Sequence, residues 1–534
     1  MSKTLYELAG GIPGTEARRE EMEKTVITAL VYDSRKIVEG CIFVCIRGAK
    51  FDGHDAIPEA IEKKAAAVIA ERDSEEWRKR CKDAGVSYIV CPDTRLALAV
   101  LSAAWFGHPA KHLITIGITG TKGKTTTAYL VRNTLNGCGK KCGLIGTVEV
   151  NTGSRSIPAK NTTPESYELQ QYMAEMVENG CQAVVMEVSS QGLMMHRTGG
   201  FVFDIAVFTN LSPDHIGPNE HKDFADYLHC KSLLFEQTQL AICNEDDPHA
   251  KDVLGEKWEE RLGYGIGREG CTLSADELKP FRKNGVLGTS LRLKAGRGSI
   301  PCEIPQPGRF SVYNAMAAYL SVVTALELLR QSDGAAGSNA ESLAETARVT
   351  DTLFHGMTVK GRLEMLPVSE EYTLMIDYAH NAMALESLLT TLKEYHPERI
   401  VTLFGCGGNR AKSRRYEMGE VSGKLSDLTI ITSDNPRDEE PMDIIEDIIT
   451  GMKKTDGGYV TVPDRKEAIR YAIKNAKPGD IIILAGKGHE DYQEIRGVKH
   501  PMDERRLVLE ILKEEGMDDA YERVAKQYPE LAQQ

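Results

Sequence analysis

A glycine-rich turn between an apolar run and a helix-forming run carries the clearest chemistry in this chain of 534 residues. The turn, Gly117 to Thr127, reads GITGTKGKTTT. Glycines in such a turn let the backbone approach a polyphosphate, whose charge is bound by N–H groups of the turn and of the following helix. Lys124 would reach the outer phosphates, and Thr125 would offer its hydroxyl to Mg²⁺. Because Ile118 stands where the usual pattern has a glycine, an ordinary strand-to-helix turn stays an alternative.

Polar residues also follow two other apolar runs. The run 181–186 ends at Glu187, and the run 203–208 leads to His215. Near-continuous apolar runs are typical of parallel strands, whose ligands gather at their carboxyl ends. A glutamate that closes a buried strand is costly without a nearby cation. Mg²⁺ is therefore the predicted partner of Glu187, with a structural salt bridge as the alternative.

Three apolar runs nearer the C-terminus lead into loops rich in glycine or charge. The loops are 405–410, 433–437 and 485–490. An open doubly wound sheet would bring them to one face. Arg410, Arg437 and Glu490 would then suit a zwitterion, because guanidinium groups bind carboxylates and a carboxylate binds an ammonium group. The first loop reads GCGG, so a dinucleotide fingerprint is not supported.

The elements that must position these residues predict an α/β protein of three domains. We expect a small N-terminal α/β domain at 1–111, a central phosphate-loop domain with a parallel sheet at 112–360, and a C-terminal Rossmann-like, doubly wound domain at 361–534. Strands at 41–46, 65–70 and 86–90 and a helix at 56–64 are predicted in the first domain. Residues 262–306 indicate a β-rich insertion, and 331–351 a surface excursion.

Composition narrows the class of protein. The net charge of −13 argues against nucleic acid as the main partner. The twelve cysteines include no C-x-x-C pair, which favours free thiols in a reducing cytosol over a zinc site. The N-terminus lacks a signal-peptide core, and no apolar run approaches about 20 residues, so we expect no membrane insertion.

Nearly end to end, the sequence resembles the ATP-dependent Mur ligases of peptidoglycan synthesis. The family's phosphate loop, G-T-x-G-K-T-[ST], matches Gly120–Thr126. Its N-terminal D-S-R and D-G turns match Asp33-Ser34-Arg35 and Asp52-Gly53, although both clusters alone also fit ordinary loops. The resemblance implies ATP and Mg²⁺ as cofactors, with UDP-N-acetylmuramoyl-L-Ala-D-Glu and meso-diaminopimelate as substrates. It also implies a cytoplasmic monomer.

The resemblance further implies the residues of each subsite. Those for ATP are Gly120, Thr121, Lys122, Gly123, Lys124, Thr125, Thr126, Asn314, Arg362, Asp377 and His380. Those for the UDP-substrate are Tyr32, Ser34, Asn161, Thr162, Thr163, Ser189 and Arg197. Those for diaminopimelate are Arg410, Asp434, Asn435, Pro436, Arg437, Gly486 and Glu490. The implied catalytic residues are Lys124, Glu187, His215 and Lys231, and the implied metal ligands are Thr125, Glu187, His215 and Lys231.

In the family the lysine matched by Lys231 is carbamylated, which turns an ammonium into an oxygen donor; an unmodified lysine is the alternative. The intact motif Asp434-Asn435-Pro436-Arg437 is similar to that of the members that add meso-diaminopimelate. Arg437 can hold the distal carboxylate of that substrate. If lysine were the substrate, its side-chain ammonium would bring only like charge to Arg437. The chain departs from the family pattern at Met195, Ala382, Ala411 and Glu504.

The implied reaction is phosphoryl transfer followed by acyl transfer. The γ-carboxylate of the D-Glu residue attacks the γ-phosphate of ATP, and the diaminopimelate amine then attacks the acyl phosphate. Two alternatives within the ligase class are a lysine-adding relative and a folylpolyglutamate ligase. A third alternative is a nucleotide-dependent scaffold that hydrolyses ATP without ligation.

Overall fold

The structure is a computed structural model that describes residues 3–12, 22–48, 51–214, 216–217, 220–256, 258, 260–296, 298–332, 347–354 and 358–532. The chain divides into two compact units, one formed by 1–273 with 316–352 and the other by 274–315 with 353–534. The domain boundaries expected from the sequence, 1–111, 112–360 and 361–534, stay a prediction.

The first unit begins with a small parallel sheet of strand order β3-β4-β5-β6. Its strands are β3 (Ala29–Val31), β4 (Cys41–Val44), β5 (Ala67–Ala70) and β6 (Ser87–Val90), and β1 (Lys3–Thr4) pairs antiparallel with β2 (Val26–Ile27). Helices cover Leu5–Ala9, Ile57–Glu62, Glu75–Asp83 and Thr94–Trp105, and 3₁₀ turns cover Ser34–Lys36, Gly53–Ala56 and Pro109–His112. Every residue of β4 and β5 is buried, as expected where both faces of a sheet are covered. The predicted strands and helix of this segment are confirmed.

A larger sheet of order β10-β9-β8-β11-β7-β12-β13-β14 completes the first unit. Its strands are β7 (Ile114–Thr119), β8 (Cys142–Ile145), β9 (Glu149–Asn151), β10 (Ser156–Pro158), β11 (Ala183–Glu187), β12 (Phe203–Phe208), β13 (Thr238–Asn244) and β14 (Leu262–Ile266). Helices cover Lys124–Gly137, Ser166–Glu178, Ser190–Met194, Phe224–Glu236 and Ala250–Leu254. The strands β8, β11, β7, β12, β13 and β14 are parallel, so the ends of β11 and β12 flank the loop that follows β7.

The second unit contains an antiparallel sheet and a doubly wound sheet. The antiparallel strands are β15 (Leu273–Lys283), β16 (Val286–Ala295) and β17 (Gly298–Ile304), which with β14 confirms the predicted β-rich insertion. The doubly wound sheet has the order β18-β19-β23-β20-β21-β22, parallel except for β18. Its strands are β18 (Glu364–Leu366), β19 (Thr373–Asp377), β20 (Arg399–Phe404), β21 (Leu428–Ile431), β22 (Tyr459–Thr461) and β23 (Asp480–Ala485).

Helices pack on both faces of the doubly wound sheet, where they form two buried apolar clusters. These helices cover Ala382–Lys393, Lys412–Leu425, Pro441–Met452, Arg465–Lys474, Glu504–Glu514, Asp518–Gln527 and Pro529–Ala532. A hairpin of β24 (Tyr492–Ile495) and β25 (Val498–Pro501) follows β23. The three predicted strands and their polar loops are confirmed.

Helix Arg309–Ser332 is the one helix of the described residues that is long and apolar enough to cross a membrane. About 67% of its apolar window is buried inside the protein, as in a core helix, so it is weak evidence for a membrane span. The predicted surface excursion follows it, and residues 333–346 of that segment lie outside the described residues.

Candidate active site

The glycine-rich turn joins β7 to helix Lys124–Gly137, as predicted. Gly120 has φ +145°, and a Cβ there would lie 2.0 Å from the Thr209 hydroxyl oxygen. Gly123 has φ +89° directly before the helix begins. Both positions therefore require glycine. At Gly120 a side chain would clash with Thr209, and at both positions the positive φ is unfavourable for a residue with a side chain.

Residues after β12 hold this turn in place. The Lys122 N–H donates to Asn210 Oδ1 at 2.9 Å, and Asn210 Nδ2 donates back to the Lys122 carbonyl at 2.9 Å. Thr209 Oγ1 donates to the same carbonyl at 2.8 Å. The Lys124 ammonium lies over the turn and donates to the carbonyls of Gly120 (2.8 Å) and Thr121 (3.1 Å). A phosphate bound in the turn would give this ammonium a charged acceptor in place of two neutral ones.

Glu187, the last residue of β11, is a buried carboxylate that is held by hydroxyl and amide donors. Thr125 Oγ1 donates to its Oε2 at 2.9 Å, while Thr147 donates to Oε1 through its N–H (2.8 Å) and to Oε2 through its hydroxyl (3.1 Å). No cationic side chain in the described part of the chain lies within salt-bridge distance of Glu187. The hypothesis of a structural salt bridge therefore finds no partner among these residues, and the oxygen-rich set suits a hard cation such as Mg²⁺.

Lys231 is almost completely buried on helix Phe224–Glu236. Its Nζ donates to the Gly120 carbonyl at 3.0 Å and lies 4.5 Å from the centre of the Tyr227 ring. Burial, aided by the positive charge of Lys124, lowers the pKa of Lys231 well below that of a free lysine. Asp214 and Cys230 oppose this shift. His215, predicted as a catalytic and metal-binding residue, lies outside the described residues.

Three residues predicted for the UDP-substrate converge beside Glu187. Thr163 Oγ1 and Ser189 Oγ are 3.1 Å apart, and Thr163 also donates to the Glu187 carbonyl at 3.0 Å. Arg197 donates to the Thr163 carbonyl at 2.9 Å and to Glu165 Oε1 at 2.6 Å. The sulfur of Met195, a departure from the family pattern, accepts from Arg197 at 3.5 Å.

The other residues predicted for this substrate are more dispersed. The Tyr32 hydroxyl donates to Glu168 Oε1 at 2.6 Å, which links β3 and its loop to helix Ser166–Glu178. Ser34 begins a 3₁₀ turn capped by Asp33. Thr162 Oγ1 lies 3.1 Å from that of Thr147, and Asn161 is exposed. The structure thus brings Thr162, Thr163, Ser189 and Arg197 together within the first unit.

Several residues predicted for the nucleotide lie in the second unit. Asp377 accepts from the N–H groups of Leu363 and Ala379, each at 2.9 Å, and burial raises its pKa. The guanidinium of Arg362 lies 4.8 Å from the centre of the Tyr378 ring. His380 Nδ1 donates to the Tyr378 carbonyl at 2.8 Å, and burial lowers the pKa of the His380 imidazole. Asn314 lies on helix Arg309–Ser332 and is half-buried.

The loops after β21 and β23 meet around a buried lysine. Lys487 is fully buried, and its Nζ donates to Glu490 Oε2 (2.8 Å) and to Asn435 Oδ1 (3.0 Å), with Asp434 Oδ1 at 3.5 Å. Asn435 Nδ2 donates to the same Glu490 oxygen at 2.8 Å. Burial acts to raise the pKa of Glu490, but the charge and hydrogen bond of Lys487 outweigh it and hold that pKa below its ordinary value. Glu490 therefore remains an anion that can accept from an ammonium group.

Arg437 joins the loops after β20 and β21. Its Nη1 donates to the Gly408 carbonyl at 2.7 Å, and its Nε donates to Glu494 Oε2 at 3.1 Å. The backbone of Arg437 has φ +51°, which is uncommon for a residue with a side chain.

Gly486, which follows β23, has φ +103° and donates its N–H to the Asp377 carbonyl at 3.0 Å. Arg410 is exposed. The predicted convergence of the three loops is confirmed.

The arginines of two buried ion pairs donate hydrogen bonds to backbone carbonyls of the loops after β21 and β23. Arg465 pairs with Glu504 at 2.8 Å and donates to the carbonyl of Ala485 (2.9 Å), the last residue of β23, and to that of Ser433 (3.2 Å), two residues after β21. Arg505 pairs with Glu364 at 3.3 Å. Arg505 also donates to the Gly488 carbonyl at 3.2 Å. Glu504, another departure from the family pattern, thus has a buried counter-charge.

Sequence reasoning gave no role to Thr147, Asn210, Lys487 or Glu494, although all four contact predicted site residues. Thr147 and Asn210 each follow an apolar run, as the predicted residues do, so the same strand-end signal could have found them. No comparable signal marks Glu494, because its partner Arg437 lies 57 residues earlier.

Sequence profiles of one family match three segments of the chain. The Mur ligase family catalytic domain matches residues 26–106, the Mur ligase middle domain matches 118–322, and the Mur ligase glutamate ligase domain matches 361–488.

Individual relatives match over most of the chain. The UDP-N-acetylmuramoyl-L-alanyl-D-glutamate–2,6-diaminopimelate ligase of Caldanaerobacter subterraneus subsp. tengcongensis is 40% identical over 91% of this chain and 95% of its own length. The enzyme of that name from Geobacillus thermodenitrificans is 36% identical over 91% of this chain and 95% of its own length.

A solved structure of a UDP-N-acetylmuramoyl-L-alanyl-D-glutamate–2,6-diaminopimelate ligase aligns with a TM-score of 0.67 at 27% identity, over 97% of this chain and 100% of that one. The solved structure of a UDP-N-acetylmuramoylalanyl-D-glutamyl-2,6-diaminopimelate–D-alanyl-D-alanyl ligase from Acinetobacter baumannii aligns with a TM-score of 0.55 at 18% identity. The alignment covers 92% of this chain and 96% of that one, which shows a common fold. The chain therefore belongs to the Mur ligase family and has its α/β architecture of three domains.

Proposed function

We propose that this chain is an ATP-dependent amide ligase that joins meso-diaminopimelate to UDP-N-acetylmuramoyl-L-Ala-D-Glu during cytoplasmic synthesis of peptidoglycan precursors. The observation that carries the proposal is the cluster of Asn435, Arg437 and Glu490 at the strand ends of the doubly wound sheet. Asn435 contacts Glu490 and lies two residues from Arg437, so the cluster offers both a carboxylate and a guanidinium to a substrate with an amino acid head at its far end. Relatives 36–40% identical to this chain carry that activity in their names.

The first step activates the γ-carboxylate of the D-Glu residue. One of its oxygens attacks the γ-phosphorus of ATP, the bond to the β-phosphate oxygen breaks, and ADP leaves. Lys124 and the N–H groups of the turn would offset charge on the phosphates as that bond breaks. Thr163, Ser189 and Arg197 adjoin the strand end of Glu187, where they would hold the UDP-substrate toward the turn.

The second step forms the amide. The amine of diaminopimelate attacks the acyl carbon, inorganic phosphate leaves, and the nitrogen loses a proton. Arg437 would bind the distal carboxylate, while Glu490, held by Asn435, would bind an ammonium group. Catalysis here is chiefly positioning of the two reactants.

The residues around Glu187 fit Mg²⁺, which prefers oxygen ligands. The Thr125 hydroxyl and the Glu187 carboxylate would hold the ion, with His215 and carbamylated Lys231 as further ligands. When bound, the ion supplies positive charge that lowers the cost of phosphoryl transfer. The low pKa of buried Lys231 keeps more of its amine in the neutral form that reacts with CO₂, which supports the carbamate.

ADP release, coupled to NADH oxidation, tests the proposal with the UDP-dipeptide and a panel of amino acids: meso-diaminopimelate, L-lysine and L-glutamate. We expect rapid ADP release only when ATP, the UDP-dipeptide and meso-diaminopimelate are all present, and slow release when L-lysine replaces meso-diaminopimelate. Release without the amino acid would favour the ATP-hydrolysing scaffold, and efficient use of lysine would favour a lysine-adding ligase. Lys124→Ala is the control for contaminating ATPases.

A further inference from the structure

The hairpin β24–β25 fixes the backbone of the loop that carries Arg437. The Arg437 N–H donates to the Glu494 carbonyl at 3.0 Å, and the Arg496 N–H donates to the Arg437 carbonyl at 2.8 Å. Gln493 Nε2 donates to the Asp434 carbonyl at 2.7 Å. Arg437 and Ile495 thus form a short parallel β-bridge, which fixes the position of the loop along the hairpin.

Glu494 also contacts the side chains of the loop. Its Oε2 accepts from Arg437 Nε at 3.1 Å, and its N–H donates to Asn435 Oδ1 at 2.9 Å. Both members of the Arg437–Glu494 pair are about three-quarters buried, with 24% and 27% of their side chains exposed. The pair is thus held more firmly than an ion pair on the open surface.

The contacts of Arg437 decide which of its donors remain for a ligand. A guanidinium has five N–H groups in a rigid plane. Nε is used by Glu494, and one N–H of Nη1 is used by the Gly408 carbonyl. Three N–H groups, one on Nη1 and both on Nη2, therefore remain for a ligand. A guanidinium without Glu494 could turn about its long side chain and present other edges.

We propose that Glu494 is a specificity-determining positioning residue, which orients Arg437 toward the distal carboxylate of the amino acid substrate. The inference rests on the proposed function and adds to it a residue that contacts Arg437 and Asn435. It concerns the choice between amino acids, because a substrate without a distal carboxylate gains nothing from an oriented guanidinium. Orientation of one long side chain changes affinity by about three- to tenfold.

The test compares the parent protein with Glu494→Ala, Glu494→Gln and Glu440→Ala. Glutamine keeps an oxygen that accepts from Nε and removes the charge. Glu440 is a matched control, because it pairs with the neighbouring Arg496 at 3.3 Å on the exposed surface. The measured quantities are kcat, the KM of each of the three substrates, kcat/KM for L-lysine and the melting temperature.

Glu494→Ala should raise the KM of meso-diaminopimelate about three- to tenfold and leave kcat and the KM of ATP unchanged. The value of kcat/KM for lysine should stay within about twofold. Glu494→Gln should recover most of the loss, and Glu440→Ala should match the parent. The inference is overturned if Glu494→Ala behaves as the control does, improves the KM, or affects both amino acids and ATP equally. A parent protein that does not use meso-diaminopimelate would instead refute the proposed function, and this inference with it.

Discussion

Replacement of Arg437 by alanine tests the proposed recognition of the distal carboxylate. Alanine is the correct truncation, because the backbone has φ +51° and glycine would also relieve the strain of that conformation. The substitution would remove the proposed contact with the distal carboxylate, together with the pair with Glu494 and the hydrogen bond to the Gly408 carbonyl, and it leaves the backbone bridge to the hairpin in place.

The expected loss follows from the burial of the side chain. Truncating one partner of a buried, hydrogen-bonded charge pair costs about 2–5 kcal/mol. The lower half of that range applies, because 24% of the Arg437 side chain is exposed and two of its N–H groups are used within the protein. A loss of about 2–3 kcal/mol raises the apparent Kd for meso-diaminopimelate roughly 30- to 150-fold. The lost contacts with Glu494 and the Gly408 carbonyl should lower the free energy of unfolding by about 1–3 kcal/mol.

The assay is ADP release at saturating ATP and UDP-dipeptide, with meso-diaminopimelate or L-lysine varied. Arg496→Ala is the matched control, since Arg496 has a similar φ of +49° and lies in the turn of the hairpin that contacts the Arg437 loop, with its side chain 79% exposed. Lysine use should change by no more than about twofold. Equal losses for both amino acids would mean that Arg437 supports the loop and does not contact the substrate.

Three further substitutions test other parts of the site. Lys124→Ala should abolish ligation without lowering the melting temperature, because the proposed role of the side chain is to bind the phosphates of ATP, and near-normal turnover would remove the turn from the mechanism. Lys231→Ala should be inactive and partly regain activity with added short carboxylic acids, while a bare amine in the mass spectrum of active protein would contradict the carbamate. Glu504→Ala should lower the free energy of unfolding in urea by about 3 kcal/mol, because it leaves Arg465 buried without its counter-charge. The exposed control Glu510→Ala should cost less than about 1 kcal/mol.

Much of the fold could be predicted because its signals are local. Each parallel strand is a short apolar run, and the polar residues that follow such a run lie at its carboxyl end, as Glu187 does. The phosphate turn could be predicted equally well, because the positive φ angles that require Gly120 and Gly123 belong to one short stretch of sequence. Convergence of the loops after β20, β21 and β23 followed from the parallel arrangement alone.

The partners of buried charges could not be predicted in this way. Lys487 neutralises Glu490 and approaches Asp434, but the sequence does not distinguish it from a surface lysine in a glycine-rich loop. Periodicity likewise says nothing of the sulfur of Met195, which accepts from Arg197. Such contacts depend on how loops meet after folding, so they become visible only in three dimensions.

The two buried ion pairs beside the loops after β21 and β23 affect when the C-terminal sheet can finish folding during translation. Glu504 follows Arg465 by 39 residues, and Arg505 follows Glu364 by 141. At a translation rate of about 5–20 residues per second, Glu364 lacks its arginine for roughly 7–28 s. The nascent doubly wound sheet therefore carries charges that cannot be buried until the last helices leave the ribosome. The N-terminal sheet, built from strands close in sequence, is under no such delay.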